Sequence, residues 1–342
     1  MFFSTSLTLL AIVCSAFSTP TVQKRATCTP TSAGNAGVDD VPAIQSAIKS
    51  CGNGGIIVIP AGHTYAIRSP LSFAGCVNCE FQVEGILKLS DDTTFWNGQE
   101  AVILLDGITG AKVHSVTGTG LVDGNGVPHW IKFAEDSSYQ RPTLMYITGS
   151  KSITVFNLAF RNAPNVFHSA TGGSSNIVYT GLTLTATAED GATPKNTDGF
   201  DVGSSTGVTI SNTKVTNQDD CVAFKAGATF TTVTQITCTG SHGLSVGSLG
   251  SGAGSTDMVT NILVDGATMI NSSKAVGIKL WEGGSAHGTA TVRNVTFSNV
   301  IVQNSDYAAQ IQSCYEAANP DSCIPSNHVV TDVFFNNFSG PT

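Results

Sequence analysis

Three carboxylates and an imidazole recur at nearly equal intervals in the middle of the chain. Asp198, in Asn196-Thr197-Asp198-Gly199, precedes the pair Asp219-Asp220 by 21 and 22 residues, and His242, in Gly240-Ser241-His242-Gly243, follows Asp220 by 22 more. If the chain makes one turn per interval, residues one interval apart lie on neighbouring parallel strands roughly 4.8 Å apart. The four side chains then converge on one patch. Carboxylates so close cannot all ionise comfortably, so at least one holds its proton to higher pH than an isolated Asp. A protonated carboxyl beside an ionised one is what glycoside hydrolysis requires: one protonates the leaving oxygen and the other activates water. A lone Asp or Asn in a repetitive β-structure reads instead as a corner residue that satisfies backbone groups. Asp201 is read that way, and His168 as a packed interior residue.

The elements that must hold these residues are visible as a recurring phrase of short strands. Lys151-Ser-Ile-Thr-Val-Phe-Asn-Leu is echoed by Ser175-Asn-Ile-Val-Tyr-Thr-Gly-Leu and Thr206-Gly-Val-Thr-Ile-Ser-Asn-Thr, and again near Thr232, Thr260 and Val292. Ile153, Ile177, Val208, Val233, Ile262 and Val295 align as equivalent apolar positions, 24 to 33 residues apart. Such a period predicts an all-β chain wound as a right-handed parallel β-helix, a single-stranded solenoid; propeller blades need about 40 residues or more. Near the N-terminus, Val41, Ile44, Ala47 and Ile48 have helical spacing, with Pro42 in the first turn. This short helix is expected to cap the solenoid and cover its first strand edges. From Ile56 onward no further helix is expected.

Composition agrees with that architecture. Charged residues make up 12% of the 342, against about 25% in an average protein, and there are 36 glycines for tight corners. Residues 1–18 read as a secretory signal with an apolar run from Leu7 to Phe17, too short to span a bilayer. Residues 19–25 read as a short propeptide ending in Lys24-Arg25, leaving 26–342 as one catalytic β-helix domain. Outside Cys14, eight cysteines remain, an even number suited to an oxidising compartment. Eight allow 105 pairings; proximity favours Cys28 with Cys51, Cys76 with Cys79, Cys221 with Cys238 and Cys314 with Cys323. Asn271, Asn294 and Asn337 head glycosylation sequons. The net charge of −8 argues against nucleic acid as a partner, and no segment predicts membrane insertion, so a soluble, secreted monomer is expected.

Asn196-Thr-Asp198, Asp219-Asp220-Cys221, Gly-Ser-His242-Gly and Gly277-Ile-Lys279 occur in the order of the motifs of glycoside hydrolase family 28, the polygalacturonase family, which the chain resembles over most of its mature length. The resemblance implies a parallel β-helix that hydrolyses the α-1,4-galacturonosyl linkages of pectin with inversion and without metal or cofactor. Asp219 then corresponds to the general acid, Asp198 and Asp220 to the pair that holds the attacking water, and His242 to the residue that tunes the acid. Asn196 and Lys279, the latter through a substrate carboxylate, would bind substrate, and Tyr315 would line the cleft. Trp281, two residues past Lys279 and so on the same strand face, is a candidate for stacking on a sugar. Neighbouring coils bring carboxylates nearer than the roughly 6.5–9.5 Å usual for inverting enzymes, a tension with the implied stereochemistry.

Two departures from the family pattern matter. Gly277 stands where polygalacturonases have the Arg of Arg-Ile-Lys, which removes one cation and predicts a void beside the cleaved bond. With Ser248-Leu-Gly and Trp281-Glu-Gly-Gly, this makes the chain more similar to the endo-xylogalacturonan hydrolases of that family, which cut a xylose-bearing galacturonan of the plant cell wall. The chain also stops at Thr342, where the family usually continues, so Val330, Val333, Phe335 and Phe338 are expected near an open end. An ordinary endo- or exo-polygalacturonase is the alternative within the family. From other classes stand an inactive or non-catalytic carbohydrate-binding β-helix, and a polysaccharide lyase, which would need Ca²⁺ and a strong Arg or Lys base.

Overall fold

The computed structural model describes residues 1–3, 25–319, 321 and 323–341. Most of the expected signal and propeptide therefore lies outside the described residues. Arg25 is described, and its guanidinium is tied to the body through the carbonyls of Gly54 and Gly55 and the carboxylate of Glu80.

The expected helix forms as α1 (Val41–Cys51), with Val41, Ile44, Ala47, Ile48 and Cys51 turned inward. It packs on the first strands, β1 (Thr27–Cys28), β2 (Ile56–Ile59), β3 (Thr64–Ile67) and β4 (Leu71–Ser72). Beyond it the chain winds as a parallel β-helix, every named strand pair being parallel. One sheet carries the long strands β17 (Ser205–Thr216), β19 (Ala228–Thr239), β21 (Thr256–Ile270), β23 (Thr289–Gln303) and β25 (Val329–Ser339). The other includes β13 (His168–Thr171), β16 (Phe200–Val202), β18 (Asp220–Phe224), β20 (Gly243–Leu249), β22 (Val276–Trp281) and β24 (Ala309–Tyr315). Alternate side chains enter a continuous apolar core, the buried set of which runs from Val41 to Val302.

The corners explain the Asn and Gly that punctuate the repeated phrase. Ser152, Asn176, Gly207, Phe230, Asn261, Asn294 and Asp332 each have positive φ just before an inward-facing residue, so one corner stacks from coil to coil. Left-handed backbone is open to Gly and tolerated by Asn, whose amide can also bond its neighbour. Asn294 Nδ2 donates to Asn261 Oδ1 at 2.7 Å. The sequon residues Asn271, Asn294 and Asn337 are all exposed.

Two expectations are corrected. Val208 pairs with Thr231, and Thr231 with Ile262, so Thr231 and not Val233 occupies the aligned column. A two-residue slip keeps the same face inward, so apolar pattern alone could not separate the two. Helices also continue beyond Ile56, in α2 (Thr93–Trp96) and α3 (Gly126–Glu135). Gly126 and Pro128 disguise α3, but Pro is acceptable in a first turn. Tertiary contacts hold it: Trp130 is buried and donates to Ala163 O at 3.0 Å, and His129 Nδ1 lies 2.7 Å from the Tyr139 hydroxyl.

The structure joins Cys28–Cys51, Cys76–Cys79, Cys221–Cys238 and Cys314–Cys323. At the C-terminal end, β25 pairs with β23. Val330, Phe334 and Phe335 are exposed there, while Val333 and Phe338 pack against the core.

Candidate active site

The sheet containing β16, β18, β20 and β22 places the site. Phe200 pairs with Val222, which puts Asp198 one coil from Asp220, and the His242 amide donates to Asp219 O at 2.7 Å. Oxygens of Asp198, Asp219 and Asp220 lie within 4.8 Å of one another. Asn217, which is buried, holds this corner by directing its amide to the carbonyls of Thr197, Asp219 and Asp220 at 2.8–3.1 Å.

Each carboxylate has its own partner. Asp220, 2% exposed, accepts from Lys279 Nζ at both oxygens, 2.9 and 2.7 Å, and from the Ser245 hydroxyl at 2.7 Å. Lys279 was expected to meet a substrate carboxylate; its ammonium is engaged with Asp220 and lies 5.4 Å from the centroid of Tyr315. Asp219 receives its own neighbour's amide, Asp220 N, at 2.8 Å, and the Asn196 amide at 3.2 Å, with His242 Nδ1 3.2 Å away. Asp198 is 3.7 Å from Lys225 Nζ, and Asp201 is also 3.7 Å from it.

These surroundings drive the protons apart. Burial raises the pKa of Asp198 well above the usual range, and the negative charges of Asp201, Asp219 and Asp220 add to it, with Lys225 only partly opposing. Asp201 is raised too, again chiefly by burial. For Asp219, burial acts upward, but the hydrogen bond and charge of His242, the Asp220 amide and Lys279 outweigh it, and its pKa falls. The two pKa values are thus driven apart, but the raised one belongs to Asp198 and the lowered one to Asp219, the reverse of what a proton-donating Asp219 and a water-holding Asp198 led the sequence to suggest.

Sequence reasoning overlooked three cations. Lys225 lies two residues beyond Ala223, which pairs with Asp201, so period-two alternation already aimed it at the acidic cluster. Arg141 comes from the loop after α3. Its guanidinium stacks 3.8 Å over Phe133, donates to Pro164 O and Lys195 O, and holds Asn196 Oδ1 at 2.8 Å. Asn196 is therefore a bridge from Arg141 to Asp219. The third, Lys274, lies across Gly277: a Cβ there would come 2.7 Å from Lys274 Cε and 2.8 Å from Cδ. The void expected at Gly277 is filled by this side chain.

Depressions flank the carboxylates on both sides. One, of about 630 Å³, is lined by Lys195, Gln218, His242, Asn271, Asn304 and Asp306 among others. The other, of about 470 Å³, is bordered by Phe133, Arg141, Asn165, Asn196, Asp198 and Lys225. Both are open and adjoin the acidic cluster, one at His242 and the other at Asp198. His168 reaches neither, being packed among Phe160, Tyr179 and Phe200. Trp281 meets Tyr315 edge-on at 6.0 Å and His287 at 5.3 Å; a register shift between Lys279 and Trp281 breaks the alternation that would have put both on one face.

A parallel β-helix bearing three clustered aspartates and a histidine on one sheet defines a class of polysaccharide-cleaving enzyme, and comparison specifies it. The sequence model described as glycosyl hydrolases family 28 matches residues 51–342, and the chain belongs to that family. It is 52% identical over 323 residues to endo-xylogalacturonan hydrolase A of Aspergillus tubingensis, covering 94% of this chain and 79% of that protein. The probable endo-xylogalacturonan hydrolase A of Aspergillus oryzae is 53% identical over 324 residues, with the same coverage. The crystal structure of endo-xylogalacturonan hydrolase from A. tubingensis superposes with a TM-score of 0.90, covering 92% of this chain and 84% of that one. A polygalacturonase from Erwinia carotovora, 19% identical and matched at TM-score 0.71 over 95% of this chain and all of that one, shares the fold.

Proposed function

We propose that this chain is a secreted hydrolase that cuts within xylose-bearing galacturonan of pectin and acts as a monomer. The observation that carries the reading is the identity of about half its residues, over 94% of its length, with endo-xylogalacturonan hydrolase A. The four disulfides agree with an oxidising compartment.

In the mechanism we infer, Asp219 gives its proton to the glycosidic oxygen as the bond to the anomeric carbon breaks. Its lowered pKa makes it a strong acid once protonated, which ties activity to acidic medium. Water attacks the anomeric carbon from the opposite side. Asp198, whose pKa burial raises, orients this water, and Asp220, steadied by Lys279 and Ser245, takes the water's proton. Asn196 and His242 keep the Asp219 carboxyl in place, and Tyr315 stands beside Lys279.

The test is a reducing-end assay of the secreted protein on xylogalacturonan, unbranched polygalacturonate and neutral polymers, with Asp219→Asn as control. Turnover on a galacturonan should fall about 10²–10⁴-fold in that variant, with the thermal midpoint retained. The first product released should have inverted anomeric configuration. Retention would assign a covalent role to one of the carboxylates, whose oxygens lie within 4.8 Å of one another. No turnover of any galacturonan would leave the non-catalytic carbohydrate-binding reading.

A further inference from the structure

Lys274 sits in the loop between β21 and β22, is 5% exposed, and runs through a channel that only glycines leave open. A Cβ on Gly243 would come 3.0 Å from its Cγ, and one on Gly277 would come 2.8 Å from Cδ and 2.7 Å from Cε. Gly243 and Gly277 lie on neighbouring strands, Leu244 pairing with Val276 and Ser245 with Gly277. The stem therefore passes from one coil to the next between Gly243, which pairs with Asp220, and Gly277, two residues before Lys279, so that it runs beside the Lys279–Asp220 pair.

The two other lysines of the acidic cluster are already engaged, Lys279 with Asp220 and Lys225 with Asp198 and Asp201. Among the described residues, Lys274 has no carboxylate within 4.0 Å and no hydrogen-bond acceptor, and its nitrogen is not sealed from solvent. Burial lowers its pKa to about 8, which leaves it a cation in acidic medium. An unpaired, nearly buried ammonium is costly unless an anion completes it. Nothing in the mechanism above uses it.

We propose that Lys274 is the cation that receives a uronate carboxylate beside the cleaved bond, reaching it through the channel opened by Gly243 and Gly277. This rests on the reading of the chain as a galacturonan hydrolase and names the residue that recognises the acidic sugar there. The cation comes from the loop before β22 rather than from the strand position of Gly277.

The test is a pair of measurements on the full chain: equilibrium titration with trigalacturonate, and kinetics on xylogalacturonan. Lys274→Met, which keeps the stem, should weaken trigalacturonate binding and raise KM at least about tenfold while kcat changes less than threefold. Gly277→Ala should give the same loss by displacing the lysine, and should add little when combined with Lys274→Met. Trigalacturonate binding equal in wild type and Lys274→Met would overturn the inference, as would additive losses in the double variant or an effect confined to kcat. Wild-type protein that binds trigalacturonate through Lys274 but cleaves no galacturonan would sink the hydrolase reading alone.

Discussion

Lys279 donates to both oxygens of Asp220, at 2.9 and 2.7 Å, inside the coil stack where both side chains are almost wholly buried. Removing one partner of such a pair leaves a buried charge uncompensated, which costs about 3–5 kcal/mol. In Lys279→Met, Asp220 loses both ammonium hydrogen bonds, and the carboxylate that takes the water's proton is no longer held in place. The expected result is a fall in kcat of about 10² or more with little change in KM. A raised KM with kcat preserved would mean that Lys279 meets the substrate carboxylate, as the family resemblance implied.

The contact of His242 with Asp219 sets a pH dependence whose sign can be worked out. His242 lowers the Asp219 pKa against the upward effect of burial, so in His242→Ala that pKa rises. Asp219 then keeps its proton to higher pH, and the alkaline limb of kcat/KM should move upward. The acid is also weaker, so the maximal rate should fall, though less than in Asp219→Asn. An unchanged pH profile would make His242 a structural residue. The same depression links Asp219 to stability: its contribution is present above the unfolded-state pKa and is lost as pH falls through the lower folded-state value. His242→Ala should therefore flatten the loss of thermal midpoint on acidification.

The fold and the centre of the site were legible because a solenoid converts sequence interval into spatial neighbourhood. Asp198, Asp219, Asp220 and His242 each sit just before or at the start of a strand, one coil apart, so equal spacing was enough to bring them together. Arg141 was hidden because it reaches Asn196 across 55 residues from a loop held by α3, an excursion outside the repeat. Lys274 was hidden because its path depends on two missing side chains, at Gly243 and Gly277, that look like ordinary corner glycines in the sequence. The substitution of Thr231 for Val233 in the core column shows the limit of a period-two pattern, which fixes the face but not the register.

Phe230 is the bulky exception in the left-handed corner column, at φ 50° and 63% exposed. Its neighbours there include Gly207 and Asn261, which that backbone suits. A side chain with Cβ strain and little burial loses little by replacement, and left-handed backbone costs an ordinary L-residue roughly 1–2 kcal/mol. Phe230→Asn should stabilise the protein by about 1 kcal/mol, read as a higher thermal midpoint. A lower midpoint would show that the ring makes a contact worth more than the strain.

The presence of Lys274 over Gly277 also decides how substrate preference should respond to mutation. A glycine with open space above it would invite an arginine, and the enzyme would simply gain a cation for the unbranched polymer. The space is occupied, however, and the Cβ of any residue at 277 would collide with the lysine stem and come 3.0 Å from Gln310 O. Overpacking of this kind costs typically about 1–3 kcal/mol. Gly277→Arg alone should therefore lower kcat/KM on both polymers and lower the thermal midpoint. Gly277→Arg combined with Lys274→Ala has room for the guanidinium to extend along the vacated path. That double variant should recover activity on unbranched polygalacturonate more than on xylogalacturonan, because a cation rooted on the strand crowds the space a xylose branch would use. The measurement is the ratio of kcat/KM values on the two polymers, which should favour xylogalacturonan in the wild type and shift toward polygalacturonate in the double variant. A single Gly277→Arg variant that is stable and fully active would show that Lys274 can leave its channel without cost.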